Sequence, residues 1–267
     1  MTRTGVQCRA MKLATWNVNS IRARHDRLLA WLAAEAPDVV CLQETKVEDS
    51  AFPFESLAAA GYHAVTLGQR SYNGVALLSR EVAQDVVRGF VDDDPDEQAR
   101  TIAATFRGVR VISVYVPNGQ EVGSDKYAYK LSWLQRLRSY LDRTCDPSQP
   151  LALCGDMNVA PTDLDVHDPA AWHGAVLCSD AERAALQRVM DWGLQDVFRA
   201  HHAEGGLYSW WDYRGVALFK NWGLRIDHIF TTATLAARCT ACTIDRATRK
   251  GPNPSDHAPV IAELTDA

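Results

Sequence analysis

A positive charge excess, long apolar runs and a paired set of cysteines are all missing from this 267-residue chain. Lys and Arg total 28 against 33 Asp and Glu, for a formal net charge of −5. That excludes a general polybasic coat for nucleic acid or anionic lipid. It leaves room for a local basic groove, because binding follows the local field rather than the total. No segment nears the ~20 consecutive apolar residues of a membrane span, and the opening MTRTGVQCRA lacks the hydrophobic stretch of a secretory signal. Cysteines number seven (Cys8, Cys41, Cys145, Cys154, Cys178, Cys239 and Cys242), an odd count scattered through the chain. Cys239 and Cys242 form a CxxC, but with no second pair and no nearby His a zinc site is not expected. Reduced thiols in a cytoplasmic protein are the expectation. Linkers, repeats and low-complexity tracts are also lacking, and the acidic stretch 92–97 reads as a solvated loop. Residues 1–10 are therefore expected to be a flexible extension and 11–267 a single domain.

Apolar residues make up 47% of the chain and charged residues 23%, the shares of an ordinary globular protein with a sizeable core. Residues 12–16 read as a short strand, followed by the polar turn 17–20. Ser20 is a candidate N-cap for a helix through about Ala34, with Ile21, Leu28 and Leu32 on its apolar face. The run Val39-Val40-Cys41-Leu42 stops at Gln43-Glu44, as a buried strand ending in a carboxylate would. Residues 74–78 and 151–154 follow the same grammar, the second closed by Gly155-Asp156-Met157-Asn158. Residues 101–116 alternate apolar and polar about Arg107-Gly108, which predicts a hairpin. Helical spacing runs over 126–141, and Ser179 to Glu182 has capping-box spacing for a helix that stops near Gly193. Residues 225–231 and 258–264 are the last predicted strands. The pattern is mixed α/β with several hairpins, not a strict βαβ alternation.

Chemistry is concentrated at the strand ends. Asn17, Glu44, Asp156 with Asn158, Asp227, and Asp256 with His257 each lie in or beside an apolar strand segment. Polar groups at the edge of a buried sheet cost desolvation unless something pairs them. Four carboxylates gathered at one edge would repel and need a cation, and hard oxygen ligands suit Mg²⁺ or Mn²⁺. Asp156 and Asn158 are two apart, so in an extended segment both point the same way. Taken singly, an Asp at a strand end is usually a turn former or a helix cap, and Tyr115 in VYVP is equally readable as core packing.

Taken together, the segments ATWNVNSIRAR (14–24), CLQETK (41–46), YNGVALLS (72–79), SVYVPNG (113–119), LCGDMNVAPTDLD (153–165), WWDYRG (210–215), GLRIDHI (223–229) and SDHAPV (255–260) decide the matter. In this order the chain resembles the exonuclease III family of abasic-site (AP) endonucleases, within the wider endonuclease/exonuclease/phosphatase superfamily, from Met11 to about Leu264. The resemblance implies a four-layer α/β sandwich, two mixed β-sheets packed face to face and flanked by helices. It implies a metal-dependent DNA phosphodiesterase of base excision repair that cleaves 5′ to abasic sites and trims or unblocks 3′ ends. Mg²⁺ is the implied cofactor, with Mn²⁺ able to substitute. The implied partner is double-stranded DNA with abasic sites or damaged 3′ ends, bound by a monomer in the cytoplasm, nucleoid-associated through that DNA and away from any membrane.

Roles carry over residue by residue. Glu44 would be the main metal ligand, with Asn17 and Asp256 supporting the ion or its waters, and Asp156, Asn158 and His257 completing the candidate metal set. Asp227 would orient His257, Asp156 would activate or position the attacking water with Asn158, and Tyr115 would donate to a phosphate oxygen. Lys46 would add positive charge. Arg22, Arg24, Asn73, Asn118, Lys126 and Lys130 are candidate phosphate contacts, with solvated-surface roles left open for the two lysines. Trp210, Leu224 and Ile226 match the small apolar pocket that receives the flipped-out deoxyribose, while Trp211 and Trp222 are readable as core. One departure stands out: His167 follows GDMNVAPTDLD where some relatives have a small, glycine-containing stretch, which bears on the balance between internal cleavage and 3′-end trimming. Two rivals carry different expectations. A non-enzymatic nucleic-acid-binding regulator on the same fold would lack the metal or base residues, and a phosphodiesterase acting on non-DNA phosphoesters would lack the pocket motif.

Overall fold

The computed structural model describes residues 10–92 and 97–266. The expected N-terminal extension (residues 1–9 of it) and four residues of the acidic stretch lie outside the described residues. Twelve strands are present among those described: β1 (Met11–Asn17), β2 (Val39–Gln43), β3 (His63–Leu67), β4 (Val75–Ser79), β5 (Gln84–Arg88) and β6 (Thr101–Phe106), then β7 (Val109–Tyr115), β8 (Leu151–Asp156), β9 (Leu194–Asp196), β10 (Asp227–Thr232), β11 (Cys239–Ile244) and β12 (Val260–Leu264). They form two six-stranded sheets, ordered β11-β12-β1-β2-β4-β3 and β5-β6-β7-β8-β10-β9. Each sheet has one parallel pair, β1/β2 and β7/β8, and antiparallel neighbours elsewhere.

The two sheets pack face to face. Leu13, Val39, Cys41, Val75 and Leu77 of one meet Ile102, Ala104, Val111, Cys154 and Ile229 of the other in the central core. Alternate residues point outward and are covered by helices. Ala14, Trp16, Val40 and Leu42 lie under the helix His25–Glu35, and Ala103, Ile112, Val114 and Leu153 lie under Asp125–Thr144 and Asp180–Met190. Burial on both faces explains why the inner strands read as unbroken apolar runs rather than alternation. The result is the four-layer α/β sandwich.

Two expectations need correcting. The first helix starts at His25, not after Ser20. The amides of Ser20 and Ile21 donate to the carbonyls of Glu44 and Thr45 at 2.7 and 3.1 Å, which lays this segment along the Glu44 loop and withholds it from the helix. Strands β3, β5, β9 and β11 had no sequence signal, for three of them are half-exposed edge strands and β9 has three residues. Cys239 and Cys242 sit in edge strand β11, and every described cysteine is a free thiol.

Candidate active site

Topology brings the polar strand ends to one edge. The parallel pairs end there, with Asn17 closing β1, Glu44 just past β2, Tyr115 closing β7 and Asp156 closing β8. Antiparallel β10 and β12 start at the same edge, which supplies Asp227, directly opposite Asp156 in register, and His257 three residues before Val260. Several non-glycine residues here adopt positive φ: Asn19 at 43°, Glu44 at 53°, Lys46 at 56°, Asn73 at 51° and Asn158 at 47°. Such conformations persist only where surrounding contacts over-determine them. Gly155 has no substitute. At φ +148° a Cβ would lie 1.9 Å from the Val114 carbonyl oxygen, so only glycine lets β8 approach β7 and deliver Asp156.

Hydrogen bonds join the cluster. The Asn17 amide nitrogen donates to Glu44 Oε1 at 2.7 Å and to Asp156 Oδ2 at 2.9 Å, so it separates two carboxylates that would otherwise repel. Tyr115 hydrogen-bonds Glu44, and burial together with Glu44 and Asp156 pushes its phenol well above its ordinary value, so it remains a donor. Asp227 Oδ2 lies 2.8 Å from His257 Nδ1, and His257 Nε2 lies 3.8 Å from Asp156 Oδ2. Burial alone would strip the His257 proton, but the carboxylates of Asp227 and Asp156 outweigh it and raise the imidazolium to about 10. Burial pushes Asp156 up to about 7, with His257 opposing and Asp227 and Glu44 adding to the rise.

Glu44, Asp156 and His257 each offer a ligand atom, all within 4.8 Å of one another. Two facts fit this set to a divalent cation. Oxygen donors dominate it, as hard ions require. In addition, Asp227 Oδ1 beside it is buried and has no hydrogen-bond partner among the described residues. Asp256 stands apart, for its oxygens accept from Asn19 Nδ2 at 2.9 Å and Trp210 Nε1 at 3.1 Å, and His257 foremost holds its carboxyl below the ordinary range despite burial. Asn158 is not an extended neighbour of Asp156. Its backbone turns left-handed, its amide N donates to Asp156 Oδ1 at 2.9 Å, and its side chain spans Val116 O and Asn118 Nδ2.

Flanking surfaces separate the other predicted residues. On one side a cleft of about 600 Å³ is lined by Tyr72, Asn73, Arg100, Tyr115, Asn118 and Lys126. Arg22 is exposed on a second concavity with Arg27 and Asn253. Arg24 instead staples loops, through Asn19 O, Pro254 O and the Tyr213 hydroxyl at 2.7, 3.1 and 2.6 Å. Lys46 pairs with Glu44 at 2.8 Å. Lys130 is no surface residue, being wholly buried against Glu182. On the other side Leu224 and Ile226 are buried and Trp210 packs against them with Val166 and Trp172. Trp211 is core, whereas Trp222 is 47% exposed and stacks on His167, with ring centroids 6.3 Å apart. His167 also meets Trp172 edge-on at 6.3 Å, and the bridge from Val166 to Leu224 holds it beside the apolar cluster of Leu224 and Ile226, which are buried side chains here.

Three contributors escaped the sequence reading. Ser209 donates to Asp227 Oδ2 at 2.6 Å and accepts from the Asp227 amide at 3.0 Å, which fixes the carboxylate that holds His257. Gln43 bridges the sheets under the site, donating to Thr15 at 3.0 Å and Ser113 at 3.1 Å. Arg100 lies 4.8 Å over the Tyr115 ring and donates to its carbonyl at 3.1 Å. A serine or arginine outside a motif gives no signal, whereas Gln43 lies inside QETK, where its neighbour Glu44 carries the more evident chemistry.

Known proteins resemble this chain over most of their length. The endonuclease/exonuclease/phosphatase family model matches residues 14–257. Exodeoxyribonuclease III of Haemophilus influenzae is 39% identical over 95% of this chain and 100% of its own. A 3′ phosphatase from Neisseria, solved with a product DNA hairpin, superposes with a TM-score of 0.92 at 44% identity, covering 96% of this chain and 99% of that one. An AP endonuclease from Archaeoglobus fulgidus gives 0.92 at 41% identity, covering 96% and 100%. With the fold, the acidic edge and these relatives in agreement, the chain belongs to the endonuclease/exonuclease/phosphatase family and is a DNA-repair nuclease of the exodeoxyribonuclease III and AP endonuclease kind.

Proposed function

We propose that this chain uses Mg²⁺, with Mn²⁺ able to substitute, to hydrolyse the phosphodiester 5′ to abasic sites and to remove nucleotides or blocking groups from 3′ ends of duplex DNA. It acts as a monomer, as a single domain over 11–267, in the cytoplasm and on the nucleoid. The observation that carries the reading is the junction of Glu44, Asp156 and His257 within 4.8 Å, beside the half-buried Tyr115 phenol. Glu44 would hold the ion with Asn17 beside it and Asp256 behind. When bound there, a divalent ion neutralises charge on the phosphoryl oxygens.

The protein's own groups do the rest. Asp156, as a carboxylate, takes a proton from the attacking water, and its raised value near 7 suits a general base at neutral pH. Asn158, paired with Asn118, places that water and the phosphate. Tyr115 donates to a non-bridging oxygen, and the His257 imidazolium stabilises the charge that develops on the phosphoryl group. The bond from phosphorus to the 3′ oxygen breaks, and that oxygen takes a proton from solvent water to complete the 3′-hydroxyl. Arg22, Asn73 and Lys126, with Lys46 nearer the cluster, position the backbone without reading sequence. Trp210, Leu224 and Ile226 receive the sugar, whose extrusion is least costly where no base has to be unpaired.

His167 sets the balance between the two activities. An imidazole braced by Trp222 and Trp172 beside the apolar cluster occupies space that a strand continuing past the lesion would cross, whereas a 3′ end has no strand to pass. The Neisseria 3′ phosphatase and the Archaeoglobus AP endonuclease superpose on this chain equally well, so the residues around His167 rather than the fold support the preference. Replacing His167 with Gly is expected to raise abasic-site cleavage about tenfold relative to 3′-end removal, a change of about 1.4 kcal/mol in barrier. Equal effects on both substrates would contradict the role of His167.

A further inference from the structure

Lys130 and Glu182 are ion-paired with both side chains at 0% exposure, on the facing helices Asp125–Thr144 and Asp180–Met190. An apolar pair would hold two helices together at least as well, since desolvating both charges offsets much of their attraction. Packing alone therefore gives no reason for a lysine at this position. Its remaining bonds supply one. Lys130 Nζ donates to the main-chain carbonyl of Asn158 at 2.6 Å and to that of Asn118 at 3.1 Å. With Glu182 as third acceptor, all three ammonium protons are committed.

The two carbonyls belong to separate loops, one after β7 and one after β8, whose side chains meet where Asn118 Nδ2 donates to Asn158 Oδ1 at 3.1 Å. Asn158 in turn gives its amide to Asp156 Oδ1 at 2.9 Å while its own backbone sits at a left-handed φ of 47°. The lysine stem runs under Gly119, where a Cβ would come within 3.1 Å of Lys130 Cδ. Glu182 is itself fixed, because it accepts from the amides of Leu177 at 3.0 Å and Ser179 at 3.1 Å. The pair is thus anchored on one side to a helix N-terminus and on the other to both catalytic loops.

We infer that Lys130, held by Glu182, is a positioning residue that clamps the Asn118 and Asn158 loops from below and so sets where Asp156 and Asn158 meet water and phosphate. The inference rests on the catalytic roles proposed for Asp156 and Asn158. Lys130 touches no reacting atom, so its removal is expected to lower kcat and spare KM.

The test compares two variants with Mg²⁺ on duplexes carrying an abasic site or a 3′ phosphate. Lys130→Met with Glu182→Gln removes both charges but keeps an acceptor for the helix cap. Glu182→Gln alone leaves the two carbonyl bonds of Lys130 in place. The double variant is expected to lose kcat about 10- to 100-fold with KM within about threefold, and at least about fivefold more than the single variant. Hydrogen exchange, which needs no turnover, is expected to show lost protection at 118–120 and 157–160 with both helices still protected. Equal losses in the two variants, a loss confined to KM, or unchanged protection of the two loops would overturn the inference. An inactive wild-type protein would instead count against the proposed function.

Discussion

Asp156 and His257 hold their protons against opposite pressures, and that opposition underlies the roles proposed for them. Burial favours a neutral carboxyl on Asp156 and a neutral imidazole on His257, yet Asp227 and Asp156 keep the ring charged to about 10. Activity is therefore expected to rise as Asp156 loses its proton, on a limb at about 7 or lower where a bound cation assists, and to fall as His257 deprotonates towards about 10. A pH–rate profile flat from 5 to 10 would contradict these roles. Replacing Asp156 with Asn or His257 with Ala is expected to lower kcat by about 100-fold or more while duplex affinity stays within a few-fold, measured by single-turnover kinetics beside a binding titration. That Glu44, Asp156, Asp227 and His257 meet at one sheet edge was legible in sequence, because a carboxylate or imidazole at either end of a buried apolar strand is costly unless paired. Ser209 was not, since a single serine in LYSWW carries no periodic or chemical mark, and the turn that redirects Asn158 depends on a positive φ that no spacing reveals.

Elements were readable in proportion to how completely they are buried. β2, β4 and β8 lie between two covered faces and announce themselves as apolar runs, whereas edge strands β3 and β5 have half-exposed patterns that read like loops. Helix starts depend on local chemistry, so the Ser179 capping box held, while the Ser20 cap yielded to long-range bonds with the Glu44 loop. Behind β10 a buried network adds a property of the fold. Arg225 donates to Asp165 and Asp196 at 2.7 Å each, and approaches His228 Nδ1 at 3.0 Å. His228 accepts from Arg225 and hence carries its proton on Nε2, 3.2 Å from the Val159 carbonyl. Burial first, then Arg225, lowers this histidine to about 4. The unfolded chain takes up the proton near 6.5 and the folded one only near 4, so stability is fully present above 6.5 and declines as pH falls to 4. The wild type is expected to lose about 3 kcal/mol over that window relative to His228→Gln, read from denaturant unfolding at successive pH values. A pH-independent difference between the two proteins would contradict this assignment.

For the whole molecule, net charge is a poor guide and local field a good one. A chain at −5 still places Arg100 and Lys126 on the concavity that Tyr115 lines, and Arg22 and Arg27 on a second one. Duplex affinity is expected to fall steeply with salt, by about tenfold or more between 50 and 200 mM, because each neutralised phosphate releases counterions. A flat salt response would argue against a backbone-tracking surface. Metal-dependent hydrolysis of DNA phosphodiesters by Glu44 and its neighbours is the property on which the proposed function stands or falls. The most direct measurement follows one end-labelled duplex with a central abasic-site analogue, and a second with a blocked 3′ end, in Mg²⁺ and in EDTA. Wild-type protein is expected to process both substrates in Mg²⁺ and neither in EDTA, with Glu44→Gln slower by about 100-fold or more. Undiminished cleavage in EDTA, or tight binding with no product in either Mg²⁺ or Mn²⁺, would contradict it.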